Sequence, residues 1–296
     1  MKLALRIKEL GLEAKEGVPL ARHTTFRVGG PADFLFAPRD LWELKKTLAF
    51  LTEEGLPYFF LGGGSNLLVR DGGFRGAAVS LKNLSRIEVE DELVRAEAGV
   101  NLPYLLGFCA EKGLSGLEFL AGVPATVGGA VAMNAGAFGQ EIKDLVREVS
   151  LYHEGKFFAL ERERLSFAYR RLELPEGALV VAATFSLKKT TPSLVRQKMA
   201  EYLSLRRRKQ PLSFPSAGCV FKNPGELPAG FLIEAVGLKG FRLGGAEISR
   251  KHANFILNRG QASASDILAL MELAKERVFR EYGLELEEEI KIVGEA

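Results

Sequence analysis

The chain has 296 residues, 47% hydrophobic and 26% charged, a composition that excludes a disordered or fibrous polypeptide and leaves room for two domains. Its net charge is only +3 with acids and bases intermingled, which excludes a surface field built to gather nucleic acid; Arg206-Arg207-Arg208-Lys209 is a local basic run. Two cysteines, Cys109 and Cys219, cannot make a disulfide framework, and with His23, His153 and His252 scattered no spacing resembles a metal site, so no metal is expected. Nothing approaches the roughly 20 apolar residues of a membrane span, and the charged start, Met1-Lys-Leu-Ala-Leu-Arg-Ile-Lys8, does not read as a signal peptide. A cytoplasmic protein without a membrane partner is expected.

Leu41, Leu44, Leu48 and Leu51 fall at helical spacing, and Gly55 stops that predicted helix before Tyr58-Phe-Phe-Leu61, an apolar run read as a buried strand. The glycine-dense segment Leu61-Gly-Gly-Gly-Ser-Asn66 sits on the strand's exit. Strands are predicted over 77–81, 86–90 and 93–100, then a helix over 102–112 that leads into a second glycine run, Ala121-Gly-Val-Pro-Ala-Thr-Val-Gly-Gly-Ala130. Further strands are predicted over 145–152, 156–160 and 179–188. From Thr191-Pro192-Ser193 a long helix runs through Met199 and Leu203 into the basic run, whose Arg206 to Arg208 are expected on solvated helix surface. A short helix over 231–236 and a strand over 253–258 precede a helix with Ile267, Met271, Ala274, Val278 and Tyr282 on one face. A closing strand over 284–293 carries Glu287, Glu288 and Glu289, of which alternation turns the first and third one way and the second the other. The order is α+β, not a regular βαβ series, and the change of pattern after Lys188 places a domain boundary near 190.

The two glycine runs carry the first functional signal. Backbone without side chains can approach a bulky anion closely, and fixing glycine costs conformational entropy, so two such runs call for a reason. Gly62-Gly63-Gly64-Ser65-Asn66 begins like a dinucleotide fingerprint but has Leu67 where the third glycine belongs, and it lacks the Gly-Lys-Ser/Thr end of a P-loop. Its consecutive amides, with Ser65 and Asn66, can still form an anion nest, where a tight turn would need fewer glycines. The second run continues through Val131-Ala-Met-Asn-Ala-Gly-Ala-Phe-Gly139, and its small residues suit a flat ligand or a close helix crossing equally. In Phe167-Ala-Tyr-Arg-Arg171 the two arginines are a solvated pair unless an anion recruits one; a substrate carboxylate would match the guanidinium fork. In Ser216-Ala-Gly-Cys-Val-Phe-Lys-Asn-Pro224, Cys219 stands among polar anchors, although a lone cysteine is usually a small core residue.

Taken in order, these segments resemble the UDP-N-acetylenolpyruvoylglucosamine reductase family. The resemblance covers nearly the whole chain and rests on seven motifs: His23-Thr-Thr-Phe-Arg-Val-Gly-Gly30, Leu61-Gly-Gly-Gly-Ser-Asn-Leu-Leu68, Gly122-Val-Pro-Ala-Thr-Val-Gly-Gly129, Phe167-Ala-Tyr-Arg170, Ser216 to Pro224, Lys251-His-Ala-Asn-Phe-Ile256 and Leu286-Glu-Glu-Glu-Ile-Lys-Ile-Val-Gly294. It implies an FAD-binding portion of the PCMH (vanillyl-alcohol-oxidase) type over 1–190, with two subdomains split near 75–80. A smaller α+β substrate-binding domain over 191–283 follows, and the strand of 284–296 returns toward the FAD portion. The chain looks like the shorter family type that lacks a tyrosine-bearing substrate loop.

By the same resemblance the protein is an NADPH-dependent flavoenzyme of peptidoglycan precursor synthesis, a monomer that reduces UDP-N-acetylglucosamine enolpyruvate to UDP-N-acetylmuramate. Gly62, Gly63, Gly64, Ser65, Asn66, Gly122, Thr126, Gly128, Gly129, Asn134 and Gly136 would contact FAD, and Lys209 and Asn223 the UDP moiety. Arg170 would hold the substrate carboxylate. Glu289, protonated or sharing a proton, would stabilise the enolate, and Cys219 would protonate the α-carbon. Cys219 departs from the serine more often found there; with a reference pKa of about 8.5 a thiol is the stronger acid, so donation remains feasible, at the cost of sensitivity to oxidation. Another flavin oxidase of the same fold would lack the Cys219 segment and Glu289, and a nucleotide-sugar-binding regulatory protein would lack a reducible flavin.

Overall fold

The computed structural model describes residues 2–296 and divides into two units. The first comprises Met1–Ala14, Leu35–Gly63 and Ala78–Arg206; the second comprises Lys15–Phe34, Gly64–Ala77 and Arg207–Ala296. The expected boundary near 190 is therefore not where the contacts divide. They divide after Arg206, inside a helix, and two early segments belong with the C-terminal unit.

In the first unit, α1 (Lys2–Glu9) precedes α2 (Leu41–Glu53). Asp40 caps α2 by accepting from the Glu43 amide at 2.8 Å, and Leu44, Leu48 and Leu51 are buried along one face, as their spacing requires. The centre of the unit is a five-stranded antiparallel sheet in the order Lys156–Glu161, Val146–His153, Leu179–Ser186, Leu93–Glu97, Ile87–Glu90. Helix α3 (Leu102–Lys112) starts where Asn101 accepts from the Tyr104 amide at 2.9 Å and ends at left-handed Gly113, φ 68°. The core joins Val94 and Phe185 of the sheet to Leu102, Leu105 and Phe119.

Helix α4 (Val127–Ala132) packs on the Leu179–Ser186 strand at the second glycine run. Gly128 also lets α4 come close to the chain just after the Leu93–Glu97 strand, since a Cβ there would stand 2.7 Å from that of Ala98 and the Gly128 amide donates to the Ala98 carbonyl at 2.9 Å. The long helix predicted after Thr191 is α5 (Pro192–Lys209).

In the second unit, α6 (Ala229–Ala235) and α7 (Ala264–Tyr282) join a three-stranded sheet of Arg242–Leu243, Ala246–Ile248 and Ile256–Asn258. A capping box starts α7, with Ser263 and Asp266 each accepting the other's amide at 3.0 Å. Ile267, Met271, Ala274 and Val278 line its buried face, but Tyr282 does not join them: it is the last residue before left-handed Gly283 and is 41% exposed.

The closing segment also differs from the expected continuous strand. The Glu287 carbonyl accepts from the Lys222 amide and the Glu289 amide donates to Val220, an antiparallel contact; Lys291–Val293 then pairs in parallel with Leu67–Val69. Changing partners at Ile290 breaks the strand, so only its last three residues are regular. Among the described residues no helix is long and apolar enough to cross a membrane.

Candidate active site

The first unit brings the two glycine runs together. A Cβ on Gly62 would lie 2.7 Å from Thr126 Oγ1, and one on Gly63 would lie 2.9 Å from the Pro124 carbonyl oxygen. Gly129 would meet the same Thr126 hydroxyl at 3.6 Å. The main chains of both runs therefore converge around Thr126, a closeness that larger side chains at 62 and 63 would prevent. Gly122 has φ 81° and packs under α5, where its Cβ would be 2.9 Å from Leu203 and 3.1 Å from Arg206.

That contact corrects the expectation for Arg206. It is buried, not solvated, because its guanidinium donates to the Ala121 carbonyl at 2.8 Å and the Phe119 carbonyl at 3.2 Å and stacks over the Phe138 ring. An α5 side chain thus pins the entry to the second glycine run. Arg207, Arg208 and Lys209 are exposed.

Arg170 stands in the same unit. Ser166–Ala168 and Arg171–Glu173 pair as a hairpin with Ala168 opposite Arg171, leaving Tyr169 and Arg170 as its two-residue turn. Arg170 takes the left-handed conformation, φ 58°, which costs a side-chain-bearing residue about 1 kcal/mol. Its Nη1 donates to the Gly136 carbonyl at 3.0 Å, and its guanidinium lies over the Tyr169 ring. Arg171 is exposed, so the two arginines are not equivalent.

Asn134, fully buried with φ 41°, donates to the Ala168 carbonyl at 3.1 Å and to Glu141 at 3.2 Å and accepts from the Lys143 amide. The Lys143 ammonium beside Glu141 holds that carboxyl below the usual carboxylate range, and the Asn134 amide and the Arg170 charge act in the same direction against desolvation.

The second unit holds the other named side chains. Gly64 accepts from the Thr25 amide at 3.1 Å and Ser65 is half-buried. Asn66 donates from its side chain to the Glu289 carbonyl at 2.9 Å, while the Lys291 amide donates to the Asn66 carbonyl. Cys219 follows left-handed Gly218, φ 78°, is half-buried, and bridges to Phe255 through its main chain. Its neighbour Val220 accepts from the Glu289 amide at 2.9 Å, so the segments bearing the thiol and the carboxylate are hydrogen-bonded directly to each other.

Of the neighbouring glutamates, Glu287 pairs with Lys222 and Glu288 with Lys275. Asn223 turns its amide oxygen to the Ala229 amide at 3.0 Å, at the start of α6.

Comparison with known proteins decides the family. Residues 210–293 match the family model described as UDP-N-acetylenolpyruvoylglucosamine reductase, C-terminal domain, and residues 32–155 match the one described as FAD binding domain. UDP-N-acetylenolpyruvoylglucosamine reductase of Moorella thermoacetica is 48% identical over 287 residues, covering 97% of this chain and 95% of the relative. That of Geobacter metallireducens is 46% identical over 288 residues, covering 97% and 96%. The crystal structure of the reductase from Thermus caldophilus has 40% identity and a TM-score of 0.81, covering 96% of this chain and 99% of that one.

The chain belongs to the UDP-N-acetylenolpyruvoylglucosamine reductase family. Its α+β fold and FAD-binding portion agree with what the motifs implied. The convergence of the two glycine runs around Thr126 fits an FAD pyrophosphate, because main-chain amides are what a nucleotide-binding nest supplies. Residue types alone concealed three buried or paired side chains beside the candidate residues. Arg206 looked like one of three solvated cations, Glu141 drew no attention, and Asn254 lay inside a quoted motif without a role. Asn254 is buried and brackets Phe221, accepting from its amide at 3.0 Å and donating to its carbonyl at 2.8 Å, two residues beyond Cys219. The available signal was the Lys251-His-Ala-Asn254 spacing, which shows that a segment matters without showing to what it binds.

Proposed function

We propose that the protein is an FAD-dependent oxidoreductase that reduces UDP-N-acetylglucosamine enolpyruvate to UDP-N-acetylmuramate, with NADPH as reductant, for peptidoglycan precursor synthesis. The observation that carries this reading is the match of residues 210–293 to the reductase C-terminal domain. Another flavoprotein would account for the 32–155 match alone.

The substrate's vinyl ether is conjugated to a carboxylate. Adding a hydride to the β-carbon leaves an electron pair that spreads into that carboxylate, and a proton on the α-carbon completes saturation. FAD, when bound and reduced by NADPH, would supply the hydride. Gly62 and Gly63 with Thr126 and Gly129 would hold its pyrophosphate through main-chain groups, supported by their convergence in the first unit, whereas the Gly128 amide is taken by the Ala98 carbonyl.

Arg170 binds the substrate carboxylate and stabilises the charge that develops on it, the kind of preorganised electrostatics that is usually the largest catalytic contribution. Glu289 hydrogen-bonds the enolate as an acid and Cys219 delivers the proton to the α-carbon. Support for pairing these roles is the Glu289 amide's hydrogen bond to Val220, beside Cys219. Lys209, at the end of the basic run, and Asn223, in the Ser216 to Pro224 motif, contact the uridine diphosphate, as the family resemblance implies. The enzyme acts in the cytoplasm as a monomer on small molecules, without nucleic acid or membrane partners.

Product analysis tests the reading. Incubated with NADPH and the enolpyruvyl sugar nucleotide, the purified holoenzyme is expected to yield UDP-N-acetylmuramate, heavier than substrate by two hydrogens, in step with NADPH oxidation. NADPH consumption without that product would contradict it.

A further inference from the structure

Arg170 sits where the backbone is strained, so its side chain needs external support to hold one direction. The support comes from the segment just after the second glycine run. Gly136–Ala137 and Gln140–Glu141 pair as a short antiparallel ribbon, with Gly136 opposite Glu141, and the Arg170 guanidinium donates to the Gly136 carbonyl at 3.0 Å. Buried Asn134 binds that ribbon to the hairpin that carries Arg170: one amide hydrogen goes to the Ala168 carbonyl, the other to the Glu141 carboxylate, and its oxygen accepts from the Lys143 amide. Lys143 pairs with the same Glu141 carboxylate oxygen that accepts from Asn134.

A side chain at Gly136 would be crowded on three sides. A Cβ would lie 3.0 Å from the Gln140 carbonyl oxygen, 3.0 Å from Glu141 Cγ and 3.3 Å from Arg170 Nη1. Arg170 is thus held through its guanidinium, through the hairpin beneath it, and by the absence of a side chain at 136.

We propose that Asn134, Gly136 and Glu141 form a polar clamp that positions Arg170 for a carboxylate ligand, so that Asn134 and Gly136 serve Arg170 and not FAD. The clamp rests on the reading of Arg170 as the residue that binds the substrate carboxylate. Pairing Glu141 with Lys143 lets a carboxylate steady the guanidinium without cancelling its charge toward a ligand.

Equilibrium binding to the oxidised holoenzyme, measured by calorimetry without turnover, separates positioning from general structure. The two probes are UDP-N-acetylglucosamine enolpyruvate, which has the carboxylate, and UDP-N-acetylglucosamine, which lacks it. Glu141 is partly exposed, so its variants are expected to fold and retain flavin.

Glu141→Ala and Gly136→Ala should each weaken the carboxylate-bearing ligand by about tenfold or more, as expected when a binding group is misplaced, and leave the other ligand within about twofold. Glu141→Gln, which keeps an acceptor for Asn134, should recover most of the loss. Equal weakening of both ligands, no weakening, or tighter carboxylate binding by Glu141→Ala would overturn the clamp. Arg170→Ala is the control. If it loses the discrimination between ligands while Glu141→Ala keeps it, the clamp alone fails; if Arg170→Ala also keeps it, the reading of Arg170 fails and takes the clamp with it.

Discussion

Asn66 donates its side-chain amide to the main-chain carbonyl of Glu289 at 2.9 Å, across 223 positions of sequence. The end of the first glycine run is thereby fixed to the segment that presents the candidate acid, and the adjoining Leu67–Val69 and Lys291–Val293 strands continue the attachment. Asn66→Ala would leave the Glu289 carbonyl without this donor. The expected loss is about 1 kcal/mol of unfolding free energy, measured by urea denaturation, with a slower substrate half-reaction as Glu289 loosens. An unchanged midpoint would show that the hydrogen bond contributes nothing.

Cys219 and Glu289 are expected to act only after the flavin has been reduced. Cys219→Ala should leave bleaching of the flavin by NADPH within about twofold and slow reoxidation by the enolpyruvyl substrate by about a hundredfold or more, the range for a lost general acid. Cys219→Ser should retain part of that step. Glu289→Gln should show the same split between half-reactions. Stopped-flow absorbance of each half-reaction checks all three variants, and equal losses in both halves would remove the assigned roles.

Arg206 predicts stability. Replacing it with alanine leaves the Ala121 and Phe119 carbonyls without their guanidinium donor and empties the space beneath Gly122. The expected destabilisation is about 2–4 kcal/mol, with Arg206→Lys intermediate, because an ammonium cannot reproduce the planar fork. Thermal or urea unfolding reads the difference. A loss as small as that of Arg207→Ala would place Arg206 back on the surface.

How much of this was legible in the sequence depends on the distance between partners. Helix α3 has the predicted bounds because Asn101 and Gly113 write both ends locally. The fate of 15–34 and 64–77 was not legible, since it depends on pairings such as Leu67 with Lys291 that no local period announces. Arg206 and Arg207 are chemically identical neighbours, and only the helix's orientation on Ala121 buries one of them. Glu289 could be placed by motif, but the break at Ile290 follows from a change of partner strand, which alternation cannot encode. Arg170 was recognisable as a candidate, whereas its left-handed turn and the acceptor at Gly136 were not.

The start of α7 gives a pH dependence. Asp266 accepts from the Ser263 and Gly245 amides, and these main-chain hydrogen bonds hold its carboxyl below the usual aspartate range despite desolvation. A depressed folded-state pKa adds stability that is fully present above the unfolded value, near 3.9, and is lost as pH falls through the folded value. The gap in urea midpoint between the natural chain and Asp266→Asn should therefore be widest near neutrality and narrow below about pH 4. A gap that stays constant down to pH 3 would assign the effect to shape and not to charge.

The central claim is that one chain passes a hydride from NADPH to an enolpyruvyl ether. Its most direct test is anaerobic: the purified yellow protein is bleached with one equivalent of NADPH, then mixed with UDP-N-acetylglucosamine enolpyruvate while flavin absorbance is followed. Full return of the oxidised spectrum, in proportion to substrate added, is the predicted result. A flavin that stays bleached until oxygen is admitted would contradict the account.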